Sequence, residues 1–297
     1  MFLSVRFIPG DAIDAMLGKT ELMAAEVDRA ALEHMLGLDV PVHVQYARWI
    51  GGILLHGSLG DSLIGSRVAV EARIIDRLPV TVELGVLAIL IGLALALPVG
   101  IYSAMRQDTA ADYAGRSVAI LGLATPNFWL ATMVVLYPSL WWAWAPPMQW
   151  VPLSEDPLGN LGVLIIPSLI LGTALAAATM RMTRTMMLEV LRQDYVRTAW
   201  AKGLRERVVV IRHAVKNALI PVVSLIGLQL PILVGGSVIM ENIFSLPGLG
   251  RLMLTALEDR DYPVVSGVNL FFGTAVVLFN LLIDLLYTWL DPRVRYE

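Results

Sequence analysis

Few residues in this sequence have both a type and a spacing that could do chemistry. Gly18-Lys19-Thr20 has the end of a phosphate-binding loop. Ile13 stands where the first glycine of such a loop must be, however, and no buried strand precedes it, so ATP is not bound by that route. His34, His43, His56 and His213 form no HExxH pair or other metal-ligand spacing and read as solvated surface residues. With no cysteine, disulfides, thiolate metal sites and cysteine nucleophiles are excluded. Met180, Met182, Met186 and Met187 cluster at helical spacing, the pattern of packing. Glu83 and Asp284 remain, the only charged residues inside long apolar runs. A carboxylate at mid-bilayer costs about 2.5 to 3.5 kcal/mol on insertion scales, which makes both acids candidates for transport chemistry. Yet Glu83 lies a turn from the end of its run and Asp284 about two turns from the end of its own. Each can reach water or a partner helix; Asn280 and Asp284 share a helix face and read as bonding to a neighbouring helix, and a structural role is the favoured reading for both acids. No catalytic, cofactor or metal site emerges.

The elements that position these residues follow from composition. At 57% apolar and 16% charged over 297 residues, with mean hydropathy +0.70, the chain is an integral membrane protein. About 20 apolar residues cross a hydrocarbon core of about 30 Å as a helix. Five stretches qualify: 79–101, 118–140, 163–180, 219–240 and 264–290. Lipid cannot satisfy an open backbone, so these are helices, and nothing alternates as a transmembrane barrel strand does. The fold class is all-α, a polytopic membrane helix bundle.

Between the third and fourth runs lies a basic segment, 181–221. It carries nine bases (Arg181, Arg184, Arg192, Arg197, Lys202, Arg205, Arg207, Arg212, Lys216) against three acids (Glu189, Asp194, Glu206). That bias places it on the cytoplasmic side. The acidic segments 138–162 and 241–263 alternate with it and lie outside, while 102–117 and the C-terminal Arg293 and Arg295 lie inside. Tyr137, Trp141, Trp142, Trp144 and Trp150 read as an interfacial aromatic belt. Within the basic segment Leu188, Leu191, Tyr195 and Ala199, with Val196 and Trp200, predict a short helix with one apolar stripe. Lys202-Gly203 predicts its left-handed cap, and a second helical run, 208–219, leads to the next span. Arg212, His213 and Lys216 on that run are placed to meet lipid headgroups.

Asp194-Tyr195-Val196-Arg197-Thr198-Ala199-Trp200-Ala201-Lys202-Gly203-Leu204, followed by Arg212-His213-Ala214 and Asn217-Ala218-Leu219-Ile220-Pro221, resembles the cytoplasmic coupling loop of binding-protein-dependent ABC importer permeases. Within that family it is similar to the dipeptide, oligopeptide and nickel subgroup. The general loop begins Glu-Ala-Ala, with glycine four residues after the second alanine. Arg197-Thr198-Ala199 and Gly203 keep only that alanine and glycine, and the proline comes later, at Pro221; both are habits of the subgroup. Trp200 departs from it. Further resemblance lies in Pro9-Gly10-Asp11, Gly37-Leu38-Asp39, Pro41, Gln45-Tyr46, Trp49 and Leu59-Gly60-Asp61-Ser62. It continues in Glu241-Asn242-Ile243-Phe244, Pro247-Gly248-Leu249-Gly250-Arg251, Arg260-Asp261-Tyr262-Pro263, and Asp284, Tyr287 and Asp291-Pro292-Arg293. Thr125-Pro126-Asn127-Phe128 resembles a subgroup motif in a pore-side span, though a proline kink explains it equally well.

The resemblance implies the type I ABC importer permease fold: the end of a first span and an extracytoplasmic segment over 1–77, a transmembrane domain over 78–291 with its coupling loop at 181–218, and a cytoplasmic tail at 292–297. It implies a plasma-membrane transport subunit with no ATPase site of its own. The expected partners are a second permease subunit, two ATPase subunits holding ATP and Mg, an extracytoplasmic substrate-binding protein and membrane lipid, with no nucleic acid. Asp194, Tyr195, Arg197, Thr198, Ala199, Lys202 and Gly203 are the expected coupling residues. Glu241, Phe244, Gly248, Arg251 and Asp261 are expected to meet the binding protein. Glu83, Asn127, Asn280 and Asp284 are polar residues of the pathway or of helix packing. Leu249, Leu252, Met253 and Leu257 predict a short helix along the membrane surface or under a docked partner.

Peptides are the expected substrate class, with nickel complexes, glutathione and sugars as alternatives. An ion-driven secondary transporter would call for a central carboxylate or repeated broken helices, and the sequence has neither an internal repeat nor a central acid. Finally, 1–77 must lie outside, yet it holds ten acids and seven bases and no signal peptide. Residues 2–8, before Pro9-Gly10-Asp11, have the composition of a helix end. The expectation is a sixth span whose beginning is encoded, in frame, upstream of Met1.

Overall fold

A computed structural model describes residue 34 and residues 39–64, 68–147 and 149–290, with the backbone alone at 284 and 286–290. Residues 2–11, Gly18-Lys19-Thr20, Gly37-Leu38, the Asp284 side chain and 291–297 lie outside the described residues. The apolar runs fold as helices: α1 (Val42–Gly51), α2 (Val70–Met105), α3 (Ala110–Ala124), α4 (Asn127–Trp142), α5 (Pro157–Leu191), α6 (Asp194–Ala201), α7 (Lys216–Ile243), α8 (Leu249–Glu258) and α9 (Tyr262–Leu290). Among the described residues the sole strand-like pairing is an isolated antiparallel bridge, Asp61 to Ala69.

The spans follow the hydropathy with one correction. α2, α5, α7 with its helical lead-in from Glu206, and α9 through Ile283 are each long and apolar enough to cross a membrane. The expected span over 118–140 is not one helix. It is α3 and α4, bent by 91° at Thr125-Pro126, so among the described residues four helices are long and apolar enough to span, or five if this pair is one. The cause is local: proline has no N–H to continue the ladder and drives the residue before it out of the helical region. Thr125 accordingly sits at φ −93°, ψ 117°.

α5 begins on a strong signal, the Asp156 carboxylate accepting from the Gly159 N–H at 3.0 Å with Pro157 at the first helical position. Its 35 residues span about 52 Å at 1.5 Å per residue, well beyond the lipid core. The stripe expected on one short helix from Leu188 to Ala199 is divided, because α5 stops at Leu191 and Gln193 is extended (φ −72°, ψ 147°) before α6 starts. The run after it is helical from Glu206, passes through π-helical turns at Val209–Val215 and continues unbroken into α7.

The chain divides into two compact units, Met1–Thr81 with Pro247–Ala275, and Val82–Leu246 with Val276–Glu297. In the first, Val70, Ile74, Leu249, Ala256, Tyr262, Val264, Val265 and Val268 form the core. Asp261 is buried there, its carboxylate accepting from the Ser62 hydroxyl and from the Leu63 N–H at 3.1 Å, with Arg73 3.9 Å away. The Thr81 hydroxyl accepts from the Leu249 N–H at 2.9 Å and so caps the start of α8.

The second unit is organised on α5, which packs against α3, α4 and α7. α2 meets it through small residues placed every four positions, Ala88, Gly92, Ala96, Gly100 and Ala104. Where lipid supplies no hydrophobic drive between helices, such a stripe lets backbones approach closely. A Cβ on Gly172 would lie 2.7 Å from the Ala88 carbonyl oxygen, and one on Gly100 2.8 Å from that of Met180. Met180 and Met187 are buried in helix packing, as the sequence pattern implied.

Candidate functional site

The segment from α6 to Lys216 forms a small knob beyond the end of α5. Val196 and Ala199 turn inward and pack with Val209 against Val190 and Leu191. Ala199, expected to face a partner, is therefore buried within this chain, where its small size lets the helix lie close. Asp194, Tyr195, Arg197, Thr198, Trp200 and Lys202 face outward. Asp194 and Arg197 stand 3.5 Å apart, and this exposed pair adds little stability. Tyr195 fastens the helix instead: its hydroxyl accepts from the Asn217 amide at 2.7 Å and donates to the His213 carbonyl at 3.3 Å. At the far end Gly203 adopts φ +74°, with its N–H on the Trp200 carbonyl at 2.9 Å, the left-handed cap that Lys202-Gly203 predicts.

Seven residues before the end of α5, Arg184 reaches Asp112 near the start of α3. Its Nε and Nη2 donate to the two carboxylate oxygens, each at 2.7 Å. Asp112 is fully buried and also accepts from the Ser103 hydroxyl and from the Asp108 N–H at 3.0 Å. The clamp thus ties α2, α3 and α5 together beside the knob. The sequence singles out only the segment 102–117 as lying inside and not Asp112 itself, whose one signal is its position three residues into a helix capped by Thr109.

The elbow between α3 and α4 brings Asn127 to the walls of two cavities. One, of about 400 Å³, lies among α2, α3 and α5; the other, of about 650 Å³, lies among α4, α5 and α7. Gln229 of α7, which the sequence did not mark, lines the larger one. Asn280 is exposed on α9.

Glu83 is engaged locally. Its Oε2 accepts from the Trp150 indole at 3.1 Å and the Asn160 amide at 2.8 Å, and Asn160 also donates to the Val151 carbonyl at 2.9 Å. Trp150 is thus a partner of Glu83, whereas Trp141 and Trp142 are exposed. Of the residues expected to meet a binding protein, Glu241, Phe244, Gly248 and Asp261 are buried and only Arg251 is exposed. Turn and core account for their motifs: Pro247-Gly248 lies in the turn after α7 and Gly248 is the N-cap of α8, while Asp261 accepts from the Ser62 hydroxyl and the Leu63 N–H. α8 forms as expected, with Leu249 buried, Leu252 and Met253 packed on its unit's core, and Leu257 exposed.

Among the described residues no group of histidines and acids could hold a metal. The family described as "Binding-protein-dependent transport system inner membrane component" matches residues 96–296. The chain is 39% identical over 319 residues to the dipeptide transport system permease protein DppB of Escherichia coli K12, covering all of this chain and 93% of that one. It is 35% identical over 297 residues to the oligopeptide transport system permease protein AppB of Bacillus subtilis, covering 99% and 93%. Among solved structures, the inward-facing MetNI methionine ABC transporter superposes with a TM-score of 0.60 at 17% identity, over 74% of this chain and 97% of that one, a likeness of fold. With helices, knob and full-length relatives in agreement, this polytopic membrane chain belongs to the family of inner-membrane permease components of binding-protein-dependent transport systems.

Proposed function

We propose that the chain forms half of the translocation pathway of an ATP-driven importer of peptides, of the dipeptide and oligopeptide class, delivered by an external binding protein. The observation that carries this reading is α6: an eight-residue helix held out beyond the end of α5, pinned by Tyr195 and capped by Gly203, with a charged and aromatic outer face. A short exposed helix of this kind fits a groove on a separate protein. The relatives named for dipeptide and oligopeptide transport support the substrate class.

In this reading the chain has no ATPase site, and two partner ATPases bind ATP and Mg. Their closure moves α6 and its counterpart on a second permease chain as rigid bodies and switches access to the pathway. The knob and the C-terminus are cytoplasmic, and the membrane is the bacterial or archaeal plasma membrane.

The test is reconstitution of the four-subunit complex in vesicles with a loaded binding protein. Trialanine should accumulate only with Mg-ATP inside the compartment that faces α6. Accumulation driven by a proton or sodium gradient without ATP would overturn the proposal.

A further inference from the structure

The cavity of about 650 Å³ among α4, α5 and α7 has a lining with no charge. Its polar members are two primary amides, Asn127 and Gln229; Phe128, Leu171 and Ile232 are among its apolar wall, and Gly235 leaves a stretch of bare backbone. Resting on the peptide-import reading, we propose that this cavity holds the main chain of the peptide in transit, with Gln229 and Asn127 pairing with its peptide groups.

A primary amide carries one carbonyl acceptor and two N–H donors, the complement of a peptide group. Two of them in an uncharged wall recognise what all peptides share and select against no side-chain charge. The volume lies inside the range of about 300 to 1,000 Å³ of small-molecule sites. Gln229 is only lightly held, its Nε2 standing 3.3 Å from the Thr179 hydroxyl and 3.4 Å from the Leu225 carbonyl, at the long end for N–H···O bonds. It can turn to a ligand at little cost. An ideal Cβ on Gly235 meets nothing within 4 Å, so the wall is open there.

The smaller cavity offers less. Its hydroxyls, Thr125 and Thr173, already donate at 2.8 Å to the Leu121 and Ile170 carbonyls of their own helices. An acyl chain is the rival occupant of the larger cavity, but it would offer nothing to the Asn127 amide or to the Gln229 side-chain carbonyl, a costly arrangement away from water.

The absence of cysteine makes the test direct. Gly235→Cys is introduced into the complete importer in vesicles, and its rate of modification by N-ethylmaleimide is read on this chain, with Leu228→Cys, at a position 72% exposed, as reference. Turnover with trialanine, loaded binding protein and Mg-ATP should slow labelling at position 235 about threefold or more and leave position 228 unchanged. Gln229→Leu should raise the KM for trialanine about three- to tenfold, the worth of one neutral hydrogen bond, with ATP hydrolysis still stimulated by loaded binding protein. Equal labelling with and without trialanine, in vesicles that accumulate trialanine, would overturn the assignment of the cavity and leave peptide import standing. Protection that needs no trialanine and is lost in short-chain lipid would give the cavity to an acyl chain and likewise overturn it. A parent complex that accumulates another solute but no trialanine would overturn the reading beneath.

Discussion

Arg184 grips both carboxylate oxygens of Asp112, 72 residues earlier in the chain, with two hydrogen bonds of 2.7 Å. A bidentate pair of this kind is strong and directional, but its burial means that each charge depends on the other. Removing one partner of a buried pair leaves an uncompensated charge, at a cost of about 3 to 5 kcal/mol. Asp112→Ala should therefore sharply lower the amount of assembled, monodisperse permease, and Arg184→Met should do the same. The double variant should recover part of the loss, because neither charge is then stranded. A double variant whose loss equals the sum of the two single losses, by thermal shift in detergent, would show that the two residues act separately.

The cap of α6 makes a prediction about backbone conformation. Gly203 has open space around its α-carbon but a φ of +74°, so a side chain there meets strain rather than a clash. The left-handed region costs an ordinary residue about 1 to 2 kcal/mol and asparagine less. ATP-dependent uptake should fall in the order glycine, asparagine, valine, and Gly203→Pro should abolish it while the protein remains inserted. Uptake independent of the residue at this position would detach the cap from coupling.

Ala199 acts from within the knob. With 5% of its surface exposed against Val196 and Val209, Ala199→Asp buries an unpaired carboxylate, so α6 should lift from its seat and transport should fall to background. Ala199→Gly should be mild. Limited proteolysis between Arg192 and Arg205 reads the detachment directly: faster cleavage of the aspartate variant is expected, and an unchanged rate would count against it.

Glu83 separates structure from ion chemistry. Glu83→Leu strips the acceptor from Trp150 and Asn160 and should destabilise the unit by about 1 to 3 kcal/mol. Glu83→Gln keeps an oxygen in place and should retain ATP-dependent uptake with the parent's pH profile. If the glutamine variant abolished transport without loss of folded protein, Glu83 would belong to the chemistry.

Much of this was legible from the sequence, for identifiable reasons. Apolar length sets α2, α5, α7 and α9, and Lys202-Gly203 marks the cap because few residues accept positive φ. Thr125-Pro126 was legible as a kink but not as a right-angled elbow, since the apolar residues run across it without interruption. Asp112 and Arg184 each read as ordinary charges near a membrane surface; their pairing depends on two helices being brought side by side. Glu241, Phe244 and Asp261 lie in motifs, and a motif does not say whether its residues face a partner or hold a turn together. Gln229 sits alone in an apolar run and became visible only with the cavity beside it.

The stripe of Ala88, Gly92, Ala96, Gly100 and Ala104 on α2 bears on how the protein is made. α2 leaves the ribosome well before α5, and until α5 arrives its small residues face lipid across a groove too shallow for acyl chains to fill well. A chain halted after α4 would keep that groove open. The finished protein closes it with the backbone of Gly172 and the side chains that follow, so the seam between these two helices exists only once the chain has been made through α5.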